Sequence, residues 1–366
     1  MSTYRVIQWG TGNVGRHALR GILERPELEL VGLRAYSPEK IGVDAGELLG
    51  ESPVGVVATD DVDALLALDA DCVVYNALGT TLVSLDQPVD DLVRILESGK
   101  DCIASAIDLF IFVQRGVAPA FLTDELIDRL ERACERGGCT LYGTGMTPGF
   151  ALDLLPVTLT RVCRNVEHVR ITEVVNLRDY RSSMMEFMGF GLPPDFDAEM
   201  YKLFEDPPNS PYAASLAMVA HALGAGLDSI TYEREIATLD EPLEVAAGVM
   251  APGTNVATRF WFTGHSGGRP LVTIEYVWRL TDDVRPDWPV GHCKWDVEVT
   301  GDPGIRSEME FSTATDAKRP TSITVAMHCL NAIPAVVAAP PGIVSHFDLP
   351  VFGGRALGRA PRSQMA

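Results

Sequence analysis

A glycine pattern directly after the first apolar run constrains the fold more than any other feature. The chain opens with residues 4–9 (YRVIQW), and Gly10-Thr11-Gly12-Asn13-Val14-Gly15 follows at once. Apolar residues at helical spacing come next, namely Val14, Ala18, Leu19, Ile22 and Leu23. In a strand, turn and helix of this kind, the glycines allow a tight turn, a close approach of a pyrophosphate and close helix packing. The pattern predicts a dinucleotide site; the alternative is a glycine-rich turn that binds nothing.

Composition and charge exclude several classes of partner. At 366 residues and 46% hydrophobic, the chain is long enough for two domains. Fifty acidic against thirty basic residues give a net charge of -20, which repels nucleic acid and anionic lipid, so neither partner is expected. No apolar run reaches membrane-spanning length and no signal-peptide pattern opens the chain, so we expect a cytoplasmic protein. Seven scattered cysteines without a Cys-x-x-Cys pair indicate reduced packing residues, so no metal is expected.

Strand and helix patterns alternate through the first 150 residues. Strands are predicted at 28–35, 72–76, 102–105 and 139–142, and helices at 60–68, 88–97 and 124–136. This alternation is typical of a parallel sheet covered on both faces by helices. Residues 1–150 are therefore predicted to form one doubly wound α/β domain.

Beyond Pro148 the pattern changes to longer, alternating strands. These are predicted at 166–177, 230–239, 258–263, 271–280 and 294–299, with a hairpin loop at 264–270. Helical patches lie at 182–188 and 212–223, and a helix containing Pro334 at 322–337. The pattern predicts a second, α+β domain over 151–320 with a mostly antiparallel sheet. Residues 321–366 then form a C-terminal helix, which we expect to return to the first domain, and a loose tail.

The choice of cofactor depends on the end of the second strand. An acid at this point accepts hydrogen bonds from the ribose 2′-hydroxyl of NAD, but residues 33–38 (LRAYSP) contain none. Arg34, Ser37 and Lys40 instead offer charge and donors to a 2′-phosphate. NADP(H) is therefore favoured over NAD(H); the alternative is that the two cations are solvated surface charges. Asn76 and Ala77, at the end of the strand predicted at 72–76, complete the expected cofactor set.

Four motifs resemble those of a known family. They are YSP at 36–38, GTGMTPGF at 143–150, FMGFGLPP at 187–194, and NAIPA at 331–335 with APPG at 339–342. They are similar to those of 2,4-diaminopentanoate dehydrogenase and native amine dehydrogenases, which have a dihydrodipicolinate-reductase-like N-terminal domain. The resemblance spans nearly the whole chain. True dihydrodipicolinate reductases carry a His-His pair, a lysine and a Ser-Gly-Thr cradle, which are absent here, so that specific reaction is not expected.

This resemblance implies a fold and an activity. It implies a Rossmann domain, an α/β domain for substrate binding and dimerisation, and a homodimer. The implied reaction is NAD(P)H-dependent reductive amination of a small apolar ketone or aldehyde, or oxidative deamination of the amine. Residues expected to line an apolar substrate pocket are Met146, Thr147, Pro148, Phe150, Tyr180 and Phe187. For each of them, packing in the core is the alternative.

The segment after the fifth strand departs from the family. Its amine dehydrogenases carry Glu-Glu-Leu there, whereas this chain has Ala106-Ile107-Asp108-Leu109. Aligned on the leucine, Asp108 stands in the place of the second glutamate. Such a carboxylate is able to deprotonate ammonia or a carbinolamine if an apolar site raises its pKa. The alternative is that Asp108 caps a helix and has no chemical role.

A second carboxylate, Glu173, lies in an apolar stripe. Period two places it on the strand face of Val169, Ile171, Val175 and Leu177. A buried acid needs a partner or a function, and we favour a salt bridge to an arginine over catalysis. No Cys/His or Ser/His/Asp arrangement is evident. A carbonyl or hydroxy-compound dehydrogenase without amine chemistry, and a non-catalytic NADP(H)-binding sensor, therefore stay open as alternative functions.

Overall fold

The first part of the structure, a computed structural model, alternates strands and helices. The structure describes residues 3–77, 85–105, 108–115, 122–180, 184–196, 198–312 and 320–356. In chain order the first elements are β1 (Tyr4–Trp9), α1 (Asn13–Leu23), β2 (Leu28–Arg34), α2 (Ala45–Leu48), β3 (Ala58–Thr59), α3 (Val62–Leu66), β4 (Cys72–Tyr75), α4 (Asp86–Glu97), β5 (Asp101–Ala104), α5 (Asp124–Gly137) and β6 (Thr140–Gly143).

Longer strands dominate the second part. Its elements are α6 (Leu154–Thr160), β7 (Asn165–Asn176), α7 (Met184–Phe187), α8 (Glu199–Phe204), α9 (Ala213–Ala222), β8 (Ser229–Thr238), β9 (Leu243–Val245), β10 (Gly248–Met250), β11 (Asn255–Ser266), β12 (Arg269–Arg279), β13 (Cys293–Asp302), β14 (Ile305–Glu310), α10 (Pro320–Val337) and β15 (Gly342–Val344). None of the helices described is both long and apolar enough to cross a membrane.

Seven parallel strands form the first sheet, in the order β15-β6-β5-β4-β1-β2-β3. Helices α1 and α10 bury their apolar residues on one face of this sheet, and α4 and α5 on the other. The central strands are apolar almost throughout because both faces are covered. The predicted doubly wound α/β fold is therefore confirmed. From β1 the chain adds β2 and β3 on one side of the sheet and later adds β4 on the other side. Because the strand order reverses between β1 and β4, a crevice opens at the carboxyl ends of these two strands.

The second sheet has six strands, in the order β14-β13-β7-β12-β11-β8. Its strand pairs are antiparallel except for β7 with β12, which confirms the predicted mostly antiparallel sheet. Aromatic side chains fill the core between this sheet and the helices packed on it. They include Phe204, Tyr212, Phe260, Phe262 and Tyr276. This core fixes the position of β7, which carries Glu173.

Several elements differ from the sequence prediction. The short strands β9, β10, β14 and β15 were not predicted, and the predicted loop at 264–270 shrinks to a turn at Gly267 and Gly268 between β11 and β12. Helix α4 begins two residues before Pro88. Strand β15 extends the first sheet beside β6, and α10 packs so closely on α1 that a Cβ at Gly21 would lie 2.6 Å from Leu330. Of the predicted tail, residues 357–366 lie outside the described part of the chain.

Candidate active site

The turn after β1 has the geometry of a phosphate cradle. A Cβ added to Gly10, whose φ is +104°, would lie 2.9 Å from the carbonyl oxygen of Asn76, and one added to Gly15 would lie 2.1 Å from that of Gly10. A Cβ at Gly12 would meet no atom of the described residues within 4 Å. Gly10 and Gly15 are thus required by the turn itself, whereas Gly12 faces open space at the start of α1. The first turn of α1 carries no acidic residue, so its free N–H groups suit an anion.

A nucleotide cavity of about 330 Å³ lies at the carboxyl ends of β1, β2 and β4. The structure brings together here seven of the predicted cofactor residues, Gly10, Thr11, Gly12, Ser37, Lys40, Asn76 and Ala77. Lys40 Nζ donates to the carbonyl oxygen of Thr11 at 3.1 Å. Arg34 does not line this cavity: it donates to the carbonyl oxygen of Thr59 at 3.3 Å, and its guanidinium lies 4.6 Å from the ring centre of Tyr36.

A carboxylate in the nucleotide cavity was missed by the sequence analysis. Asp91 on α4 accepts hydrogen bonds from the hydroxyls of Tyr36 at 3.3 Å and Tyr75 at 3.2 Å. Trp9 Nε1 donates in turn to the Tyr36 hydroxyl at 2.9 Å. Burial raises the pKa of Asp91. The sequence gives no sign of this network because α4 shows only an amphipathic pattern.

A larger central cavity of about 490 Å³ lies between the two sheets. On the nucleotide side it is lined by Asn13 and Val14 of α1 and by Ser105 after β5. The expected substrate residues Met146, Thr147, Pro148 and Tyr180 also line it. Phe150 and Phe187 pack against the core of the second sheet instead. The cavity therefore joins the start of the phosphate helix to the face of the second sheet.

Glu173 projects into the central cavity from β7 and is only 5% exposed. Trp295 on β13 lies directly opposite in the antiparallel pairing and donates its indole N–H to Oε2 at 2.9 Å. Trp278 on β12 donates to Oε1 at 3.2 Å. Thr147 contributes a third hydrogen bond. Because burial outweighs these three donors, the pKa of Glu173 is raised.

The predicted salt bridge of Glu173 to an arginine is not found among the residues that the structure describes. Its partners within the described part of the chain are the two indoles and Thr147, and none of these is charged. Neutral N–H donors satisfy the carboxylate oxygens without supplying a positive charge. The side chain of Asp108, the other candidate, lies outside the described residues; its backbone begins a 3₁₀ helix, Asp108–Ile111.

Buried polar groups hold the turn that presents Met146, Thr147 and Pro148 to the central cavity. Asp153 accepts from the backbone N–H of Gly149 at 2.9 Å and from the hydroxyl of Ser215 at 2.7 Å. Ser215 lies 62 residues from Asp153 in the sequence, so pattern reasoning missed this contact. His328 on α10 holds the other end of the turn, since its Nδ1 donates to the carbonyl oxygen of Gly145 at 2.9 Å. The walls of the cavity are therefore fixed before any ligand binds.

We expect His346 beneath this turn to make stability depend on pH. Its ring stacks 5.7 Å from that of His328, its Nδ1 lies 2.6 Å from the Tyr142 hydroxyl, and burial lowers its pKa to about 4. Below about pH 6.5, the ring of His346 binds a proton in the unfolded state, whereas its lowered pKa keeps the ring neutral in the folded state. The free energy of unfolding should therefore fall as the pH drops from about 6.5 towards 4, by about 2 kcal/mol at pH 5.

Urea unfolding at pH 8 and pH 5 measures this effect, with His346→Gln as the matched variant. The variant should lose this part of the pH dependence. An equal pH dependence in both proteins would show that His346 titrates normally in the folded state.

Comparisons with known proteins agree with the motifs. The family model of the 2,4-diaminopentanoate dehydrogenase C-terminal domain matches residues 150–364. An amine dehydrogenase from Streptomyces virginiae is 33% identical over 371 residues, covering 98% of this chain and 99% of that protein. The 2,4-diaminopentanoate dehydrogenase of Acetoanaerobium sticklandii is 24% identical and covers 96% of this chain and 94% of its own.

A solved structure shows the same fold. The amine dehydrogenase from Mycobacterium smegmatis aligns with a TM-score of 0.74 at 23% identity, over 97% of this chain and 98% of that one. The expected resemblance is therefore confirmed over the whole length of the chain. The chain belongs to the family of 2,4-diaminopentanoate dehydrogenase and amine dehydrogenase.

Proposed function

We propose that this protein is an NAD(P)H-dependent amine dehydrogenase that acts on a small, largely apolar ketone or aldehyde. The observation that carries the proposal is the central cavity, which begins at the phosphate helix and ends at a buried carboxylate whose partners in the described part of the chain are all neutral. A hydride acceptor and a proton-handling group must meet in such a space for an amine to form. Membership of the family supports the same reaction.

The chain's residues fit a dinucleotide. Open space at Gly12 and the free N–H groups of α1 suit the pyrophosphate, and the nucleotide cavity suits the adenosine end. Asn13, Val14 and Ser105 then line the side of the central cavity nearest the phosphate turn. When bound, a reduced nicotinamide supplies the hydride. The protein contributes position, exclusion of water by the walls at Met146 and Pro148, and proton transfer.

We propose NADP(H) as the preferred cofactor, with NAD(H) accepted less well. Lys40 and Ser37 line the nucleotide cavity, whereas Arg34 is folded onto Tyr36. Lys40→Ala should therefore weaken NADPH binding by about 1–3 kcal/mol and NADH binding much less, since only NADPH carries the 2′-phosphate. Cofactor fluorescence titration measures both affinities. Arg34→Ala is the matched control, because it removes a nearby cation that does not line the nucleotide cavity. Equal losses for the two cofactors in Lys40→Ala would contradict this assignment.

Two further proposals concern the state of the protein. Family resemblance supports a homodimer formed through the second domain. The absence of any long apolar run in the sequence and the net charge of -20 support a cytoplasmic location. Light scattering on the purified protein tests the first of these: a mass of one chain would contradict it.

The proposed reaction is tested by NADPH oxidation with a panel of ketones and aldehydes, with and without ammonium. An amine dehydrogenase needs both the carbonyl compound and ammonium. Oxidation at the same rate without ammonium would indicate a carbonyl reductase instead. Tight cofactor binding without oxidation of any member of the panel would indicate a sensor.

A further inference from the structure

Two buried glutamates on the second sheet differ in the charge of their described partners. Glu275 on β12 is 2% exposed and is paired with two cations, Arg170 at 2.8 Å and Arg259 at 2.5 Å. Glu173 on the neighbouring strand is almost as buried, and its donors among the described residues are all neutral. Glu275 shows that positive charge neutralises a carboxylate at this depth in the second sheet. No cation among the described residues is paired with Glu173, which faces a cavity, so a ligand is able to supply the positive charge.

The surroundings of Glu173 select the charge and size of that ligand. Trp278 and Trp295 line the central cavity on either side of the carboxylate. Their N–H groups also fix the carboxylate in one orientation. The other titratable side chains along the described walls of this cavity are Asp179, Tyr180, His292 and Cys293, and no lysine or arginine is among them. These walls suit a small cation with N–H donors and disfavour a carboxylate.

We propose that Glu173, Trp278 and Trp295 form an ammonium subsite, which binds the ammonium ion before the reaction and the amine nitrogen after it. This assignment rests on the proposed function and names the residues that hold its nitrogen substrate. It assigns the proton transfer of amine formation to a residue of the second sheet. In the segment after β5, this chain has Ile107 and Asp108 in place of the family's two glutamates.

The proton balance of the reaction follows from this placement. The ionised Glu173 takes one proton from ammonium, and the resulting ammonia adds to the carbonyl carbon to give a carbinolamine. Glu173 then returns its proton to the hydroxyl group, which leaves as water, and an iminium ion forms. A reduced nicotinamide held beside Asn13, Val14 and Ser105 would supply the hydride that converts the iminium carbon to the amine, leaving the oxidised cofactor. The carboxylate ends ionised, as it began, and the net reaction consumes one carbonyl compound, one ammonium ion and one NAD(P)H.

Ammonium binding itself has an optical readout, because Glu173 contacts two of the five tryptophans. Tryptophan fluorescence of the protein is titrated with ammonium chloride at constant ionic strength, against sodium chloride. Glu233→Gln is the matched control: Glu233 accepts from the indole N–H of Trp261 at 3.0 Å on the same sheet, but outside the cavity. We expect a saturable change in the wild type and in Glu233→Gln, and at least about tenfold weaker binding in Glu173→Gln, the loss of one charge-assisted contact.

The dependence on pH adds a second readout. Ammonium affinity in the wild type should fall as the pH drops through the pKa of Glu173, because the neutral acid no longer attracts a cation. Glu173→Gln should show no such fall. Melting temperature and circular dichroism establish that the variants are folded. Unchanged ammonium affinity in folded Glu173→Gln, or no saturable signal in the wild type, would overturn the assignment.

The subsite and the proposed function fail in different ways. If the wild type oxidises NADPH only with ammonium, but Glu173→Gln keeps the same KM for ammonium, the function stands and the subsite is wrong. If ammonium binding requires Glu173 but no carbonyl compound is aminated, the subsite stands and the proposed function is wrong.

Discussion

Replacing Glu173 by glutamine is expected to lower the turnover of reductive amination by about 10²–10⁴, the usual cost of losing a general acid or base. The amide keeps the size of the side chain and accepts from one indole N–H, but it neither binds a cation nor transfers a proton. The KM for ammonium should rise while NADPH affinity stays unchanged. Steady-state kinetics with varied ammonium measure both constants, and Glu233→Gln is the matched control.

The same experiment separates Glu173 from Asp108. Asp108→Asn is measured in parallel, with Asp108→Glu, which restores the side-chain length found in the family. If Asp108→Asn loses turnover and Glu173→Gln keeps both turnover and its ammonium KM, the carboxylate after β5 performs the proton transfer. Glu173 would then have no part in the chemistry.

Gly12→Val is expected to abolish dinucleotide binding while leaving the fold intact. Gly12 has an ordinary φ of -74° and its Cβ would meet no atom of the described part of the chain within 4 Å, so we expect the fold to tolerate a side chain there. That open space is where a pyrophosphate would approach the backbone. Titration of NADPH fluorescence should show affinity lowered by at least about 100-fold, which corresponds to the loss of about 3 kcal/mol of charge-assisted hydrogen bonds to the pyrophosphate.

Gly15→Val is the contrasting variant. Its Cβ would lie 2.1 Å from the carbonyl oxygen of Gly10, so this variant should lose stability as well as cofactor binding. Melting temperatures separate the two effects. Tight NADPH binding by a folded Gly12→Val protein would show that the cofactor does not use this turn.

The first half of the fold was predictable because its signals are local. A phosphate turn requires particular backbone conformations at Gly10 and a close approach at Gly15, and both requirements are visible as glycines. Strands buried on both faces appear as continuous apolar runs. Strand β15 was missed because it has three residues and follows two prolines, and β14 was missed because only two of its six residues are apolar. These two strands form because they pair with neighbouring strands, and their local sequence patterns do not predict them.

The candidate site was predictable only in part. Period two on β7 identifies Glu173 as a buried acid, yet its partners come from strands 105 and 122 residues away, beyond the reach of any local pattern. Among the described residues, indoles stand where a cation was expected, because β12 and β13 place Trp278 and Trp295 on the same face. Asp91 and His328 were missed for the same reason, since α4 and α10 present them to residues distant in sequence.

Isotope transfer tests the central claim most directly. The protein is incubated with a carbonyl compound that supports NADPH oxidation, NADPH deuterated at C4 and ¹⁵N-labelled ammonium, and the product is analysed by mass spectrometry. An amine dehydrogenase predicts an amine that carries one deuterium on the former carbonyl carbon and one ¹⁵N. An alcohol carrying deuterium and no ¹⁵N, formed at the same rate without ammonium, would contradict the account.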